Sequence, residues 1–140
     1  MVDRAIVGAK VAAIRDATDR IHRVLPPEVG AFEADRTTRE VVVLNLFVAL
    51  QETVSLATHW LADSGMDVPG SYREIFIALA ERGKIPRDLA QRLAAAAGLR
   101  NLVAHQYGVL DPARVYAMAS TGLGGLLDFC EVVSRQVAGG

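Results

Sequence analysis

The chain is poor in the features that support several common chemistries. It has a single cysteine, Cys130, among 140 residues. That excludes an intrachain disulfide and a cysteine-rich zinc site. No run of alternating apolar and polar residues is bounded by turn signals, so no strand is expected. No glycine loop cradles a phosphate, no helix reads His-Glu-x-x-His, and no serine sits between the glycines of a nucleophile turn. The three histidines, His22, His59 and His105, lie far apart and give a metal site no local support. Paired carboxylates at helical spacing in an apolar setting are also missing. Neither a metal nor a cofactor is therefore expected.

Neither sign of charge is in excess overall, with a formal net charge of −1. No strong basic field covers the chain, so non-specific nucleic-acid binding should be weak. The N-terminus carries Asp3 and Arg4 rather than the apolar core of a signal peptide. A lone cysteine is compatible with a reducing compartment, and the cytoplasm is the expected location. The least polar stretch, Val41 to Leu50, contains Asn45 and is too short to span a bilayer. No membrane attachment is expected.

What is present is helical. Hydrophobic residues make up 51% and charged residues 22%, a composition that excludes disorder and fits one globular domain over residues 1–140. Val2, Ile6, Ala9, Ala13, Ala17, Ile21 and Val24 form an apolar stripe that predicts a helix from Val2 to Val24. Pro26-Pro27 stops it, and residues 25–36 read as a loop. Thr37 and Glu40 read as a capping box opening a second helix, with Gly65 closing it after Ser64. Between Val41 and Ala62 the only formal charge is Glu52. A helix so apolar is central, or shares itself between the core and a subunit interface.

Ser71 and Glu74 cap a short helix that ends at Gly83. Pro86 opens a fourth helix reaching Tyr107, with Gly108 as its cap. Inside it, Gly98 marks either a close contact or a tolerated weakness. Asp111-Pro112 begins the last helix, which runs to Val137 and is weakened or bent at Gly122, Gly124 and Gly125. The expected fold is all-α: an up-and-down bundle of four main helices plus one short helix.

Charge is unevenly spread: residues 24–72 are net −5 and residues 73–114 net +3. The basic half ends in the richest chemistry of the chain. Arg100, Asn101, His105 and Tyr107 fall within eight residues among apolar neighbours. At about 100° per residue, Asn101 and His105 share a face, while Arg100 and His105 stand about 140° apart. One helix alone does not aim both at one atom. Either the arginine wraps round, or two copies of the helix pool their groups across a dimer axis.

These groups suit attack of an RNA 2′-hydroxyl on the adjacent phosphorus. That reaction needs a group exchanging a proton near neutrality, which histidine supplies. It also needs a cation over the developing phosphorane charge, which arginine supplies. Asn101 can donate to phosphate or hold the imidazole. The bland alternative is that a polar cluster at a helix end satisfies terminal carbonyls and the helix dipole.

The run Arg100-Asn101-Leu102-Val103-Ala104-His105-Gln106-Tyr107 is similar to the motif of HepT-type proteins, members of the HEPN superfamily of helical bundles. Val43-Leu44-Asn45-Leu46 and the Gln51 to His59 segment resemble that family's second helix. Pro69, Ser71-Tyr72, Phe76 and Leu79 resemble its short third helix. The resemblance spans roughly residues 1–137. It implies a HEPN-like fold and a metal-independent endoribonuclease toxin acting as a homodimer on RNA, with tRNA the expected target. It also implies a cognate MntA-type nucleotidyltransferase antitoxin that transfers AMP to the motif tyrosine. On that basis Arg100 and His105 are catalytic, Asn101 supports them and Tyr107 is the AMPylation target.

One position departs from the pattern. Family members often carry an acid four residues before the histidine of the second helix, and Ser55 stands there. If that acid orients a basic group, the site here is weaker or the basic group has another partner. His59 matches the pattern and reads as a core residue. The competing reading of the whole chain is a non-catalytic HEPN module that binds a nucleotide or serves a nucleotidyltransferase. A purely structural helical dimer is the third.

Overall fold

In the computed structural model, which describes residues 3–105, 108 and 110–139, the chain forms α1 (Arg4–Val24), α2 (Val29–Ala34), α3 (Arg36–Asp63), α4 (Tyr72–Glu81) and α5 (Arg87–His105). After them come α6 (Pro112–Ala117), a π-helical turn (Met118–Gly122) and α7 (Gly124–Gly139). No strand occurs among the described residues. The expected bundle of four main helices is present as α1, α3, α5 and α7, with α4 as the short helix.

α3 is the spine. Its buried residues run from Val42 to Leu61, and α1, α2, α4, α5 and α7 all pack on it. By length and apolarity this 28-residue helix could cross a membrane, so the apolar run is longer than the segment ending at Leu50. Its burial among other helices is that of a core helix. Glu52, the only formal charge on α3 between Val41 and Ala62, meets Lys10 of α1 at 3.2 Å in a half-buried ion pair.

Several local expectations are corrected. The core face of α1 is Val7, Val11, Ile14, Ala17, Thr18 and Ile21, whereas Ile6 and Val24 are exposed. The stripe through Ala9 and Ala13 is turned away from the core because the bulkier β-branched residues bury more surface per side chain. Val2 lies outside the described residues. The stretch read as a loop contains α2, whose Phe32 is fully buried and lies 5.3 Å from the Tyr116 ring of α6. Tyr116 also donates its hydroxyl to the Pro26 carbonyl at 2.7 Å, which ties the double proline to the far end of the chain.

The cap of α3 is Asp35, not Thr37. Its carboxylate accepts from the Thr38 amide at 3.1 Å and the Thr38 hydroxyl at 2.9 Å. Aspartate is the stronger cap and sits beside the positive end of the helix dipole. Other end signals hold: Gly65 and Gly83 adopt positive φ, Ser71 caps α4, and Asp111-Pro112 opens α6, while the expected end of the fourth helix at Tyr107 lies outside the described residues. Gly98 is exposed, and a methyl there would meet nothing within 4 Å, so it is a tolerated weakness and not a close contact.

The expected last helix is interrupted. The hydroxyls of Ser120 and Thr121 donate to the Ala117 carbonyl at 3.3 and 2.9 Å. Such bonds compete with the backbone amides for the carbonyl, and here they coincide with a π turn that ends at Gly122, just before Gly124 and Gly125. A Cβ at Gly122 would fall 2.4 Å from the Met118 sulfur, so a larger residue there requires the flexible methionine side chain to shift.

Phe129 of α7 closes the core, with ring centroids 6.1 Å from Trp60 and 5.8 Å from Phe76. Cys130 beside it is buried, and burial pushes its thiol up to about 11, so it stays protonated at neutral pH.

Two predictions follow from these contacts. Phe129→Ala should cost about 3–5 kcal/mol, read as a lower urea midpoint with the helical spectrum retained. Hydrogen bonds from the Thr38 amide and hydroxyl, with smaller help from the Thr37 amide and Arg39, hold the Asp35 carboxyl below its ordinary 3.8. Its capping contribution is therefore present above that value and lost as pH falls through the depressed one. Asp35→Ala should lower the melting temperature at pH 7 and much less at pH 2, by thermal denaturation.

Candidate active site

α5 positions the sequence motif. It begins after Pro86, whose carbonyl accepts from the Ala90 amide at 3.0 Å. Leu89, Leu93, Ala96, Ala97, Leu99 and Val103 are buried against the bundle. That leaves Arg100 half-buried and Asn101, Ala104 and His105 exposed in the last turns.

Arg100 does wrap round, but toward α3 and α4, not toward His105. Its Nε donates to Oε1 of Gln51 at 2.8 Å, and its Nη1 donates to Oδ1 of Asn101 at 3.1 Å. Its guanidinium carbon lies 5.0 Å from the Tyr72 ring centroid and 5.6 Å from that of Phe47. A hydrogen bond to a charged donor contributes about 1.5–3 kcal/mol, and each cation–π contact about 0.5–1 kcal/mol. Each of the two hydrogen bonds thus restrains the group more than either ring contact does. Arg100 and Asn101 form one unit.

His105 shares the exposed face with Asn101, one turn on, and no hydrogen bond joins it to either residue among the described residues. Tyr107 lies outside the described residues. Ser55 and His59 are half-buried further along α3. Nε2 of His59 is buried with no hydrogen-bond partner among the described residues.

Sequence reasoning did not single out Gln51, Phe47 and Tyr72 as parts of the site. A signal was available for the first: Gln51, Ser55 and His59 are spaced by four along an otherwise apolar helix. That spacing draws one polar row along a helix face.

A groove of about 480 Å³ runs beside the site, lined by Glu40, Val43, Leu44, Phe47, Val103 and Ala104. Along its α3 edge Val41, Leu44 and Val48 are 37, 63 and 36% exposed. A second hollow at the first turn of α3 holds Arg36, Arg39 and Glu40 and reaches Gly108 and Leu110. Its charges are largely satisfied internally: Arg36 pairs with Glu40 at 2.8 Å, and Arg39 donates to the Glu33 carbonyl. Among the described residues no group of three or more His, Cys, Asp or Glu is placed to hold a metal ion.

Comparison with known proteins places the chain in a family and matches its fold. The profile of the family described as Ribonuclease HepT-like matches residues 14–133. The mRNA nuclease HepT of Shewanella oneidensis is 28% identical over 131 residues, covering 94% of this chain and 98% of that protein. The crystal structure of a toxin–antitoxin with AMP-PNP superposes with a TM-score of 0.86 at 26% identity, covering 94% of this chain and 99% of that one. The tri-AMPylated HEPN toxin of Shewanella oneidensis, in complex with its MNT antitoxin, gives a TM-score of 0.86 at 27% identity. It covers 95% of this chain and 99% of that one.

Proposed function

The chain belongs to the HepT-like ribonuclease family, and from that premise we propose that it is the toxin of a two-gene toxin–antitoxin pair, a cytoplasmic endoribonuclease that needs no metal. The observation that carries the reading is the held guanidinium of Arg100, beside exposed Asn101 and on the same helix end as exposed His105.

The reaction is attack by an RNA 2′-hydroxyl on the adjacent phosphorus. The 2′-oxygen–phosphorus bond forms and the bond to the 5′-oxygen breaks. His105 exchanges the proton leaving the 2′-hydroxyl, and the 5′-oxygen departs protonated. The products are a 2′,3′-cyclic phosphate and a 5′-hydroxyl. Arg100 faces the charge that builds on the phosphorane, and Asn101 steadies the arginine.

Arg100 and His105 diverge within one protomer, so the active form is a homodimer that pools them. The exposed Val41, Leu44 and Val48 edge beside the groove supplies an apolar face for the second copy. The substrate is RNA. We place tRNA first and messenger RNA beside it, because the Shewanella relative is named an mRNA nuclease. A cognate MntA-type nucleotidyltransferase silences the toxin by moving AMP onto the Tyr107 hydroxyl. The AMPylated state of the Shewanella toxin supports that assignment. Each adenylate brings bulk and negative charge to a site that must accept phosphate.

Purified dimer should cleave tRNA or messenger RNA in chelator, with cyclic phosphate on the 5′ fragment. Arg100→Ala and His105→Ala should each slow cleavage by about 10²-fold or more. Undiminished cleavage by a clean His105→Ala preparation would overturn the assignment. Leu44→Glu should run as a monomer by light scattering and lose cleavage while its circular dichroism is unchanged. Co-expression with the neighbouring nucleotidyltransferase should raise the intact mass in AMP-sized steps that Tyr107→Phe abolishes.

A further inference from the structure

The partner of Arg100 is a neutral amide, and an acid was available in the next position. Gln51 and Glu52 are adjacent on α3. The helix turns about 100° between them. It aims the amide at Arg100 across α5, at 2.8 Å, and the carboxylate at Lys10 on α1, at 3.2 Å. The acid is therefore spent on a different helix, and the other partners that the arginine makes among the described residues carry no formal charge. Phe47 and Tyr72 meet the guanidinium through their rings, and Asn101 meets it through a carboxamide oxygen.

We propose that Gln51 is a positioning residue for the reaction: its uncharged carboxamide aims Arg100 without neutralising it, so that the full positive charge meets the RNA phosphate. The proposal rests on the ribonuclease reading and deepens it. A half-buried guanidinium requires an acceptor. A carboxylate there would bind it more strongly, but would also set a negative charge within hydrogen-bond distance of the group that stabilises the phosphorane. The amide separates those two effects. It holds the Nε end, and Asn101 takes one N–H of Nη1. Among the described residues none bonds Nη2, the nitrogen that can join Nη1 in a fork onto two phosphate oxygens.

The test is single-turnover RNA cleavage by the full-length dimer, with Gln51→Ala and Gln51→Glu compared in the native chain. Gln51→Ala is also made in an Arg100→Lys background, which keeps a cation but drops the Nε–H. Melting curves establish that each variant is folded. Gln51→Ala should lower kcat by about tenfold or more, with KM changed far less. Gln51→Glu, which preserves shape and acceptor, should lose at least as much and should flatten the salt dependence of RNA binding. In the Arg100→Lys background Gln51→Ala should cost nothing further.

A role as a mere structural acceptor predicts the opposite for the acid. Cleavage by Gln51→Glu at the native rate or faster would overturn the proposal, as would equal losses from Gln51→Ala in both backgrounds. If Gln51→Ala does not fold, the Gln51→Glu result decides alone. If Arg100→Lys cleaves at the native rate, both the positioning role and the catalytic reading of Arg100 fall. If only the Gln51 variants are silent, the ribonuclease reading stands and this inference fails.

Discussion

A helix that is apolar on nearly every side cannot be satisfied by one neighbour, and α3 imposes that constraint on the rest of the chain. Its inner faces are covered by α1, α4, α5 and α7, which gives a continuous core from Val7 on α1 to Val133 on α7. The outer edge at Val41, Leu44 and Val48 is left uncovered. Two of the polar side chains that α3 carries midway tie neighbouring helices to it. Glu52 fastens α1 and Gln51 fastens the arginine of α5. Core, apolar edge and arginine anchor are one helix seen from three directions.

That arrangement gives the arginine unusual company for a cation. Half-buried arginines ordinarily meet a carboxylate, which satisfies their donors and cancels their field. Here one amide and two aromatic rings restrain the group, and one further amide steadies it. Every one of these residues stands on a helix. Sites built on helices hold geometry more closely than sites built on loops.

The sequence was most informative where periodicity and end signals agreed. Gly65, Gly83, Ser71 and Asp111-Pro112 marked helix ends because each solves a local problem of backbone hydrogen bonding or handedness. Legibility failed where a local signal had two solutions. Thr37 and Asp35 could both cap α3, and the carboxylate next to the dipole prevailed. The alanine-rich stripe of α1 was compatible with two orientations, and only the volumes of Val7, Val11 and Ile14 decide between them. At the site, the angular argument placed Arg100 and His105 apart, and the structure directs the arginine to α3 and leaves His105 exposed. That Gln51 receives the arginine was not legible, because its partner lies 49 residues away and only packing brings α3 and α5 together.

The π turn at Met118–Gly122 has a consequence for how the chain tolerates changes of length. One surplus residue in a helical turn shifts the phase of everything after it by about 100°. Phe129 reaches Trp60 and Phe76 only in that shifted phase. The segment works as an index mark: it sets which side of the C-terminal helix faces inward. Loops elsewhere can lengthen or shorten at modest entropic cost. Removing a single residue between Met118 and Gly122 would instead restore an ordinary helix and rotate its aromatic side out of the core.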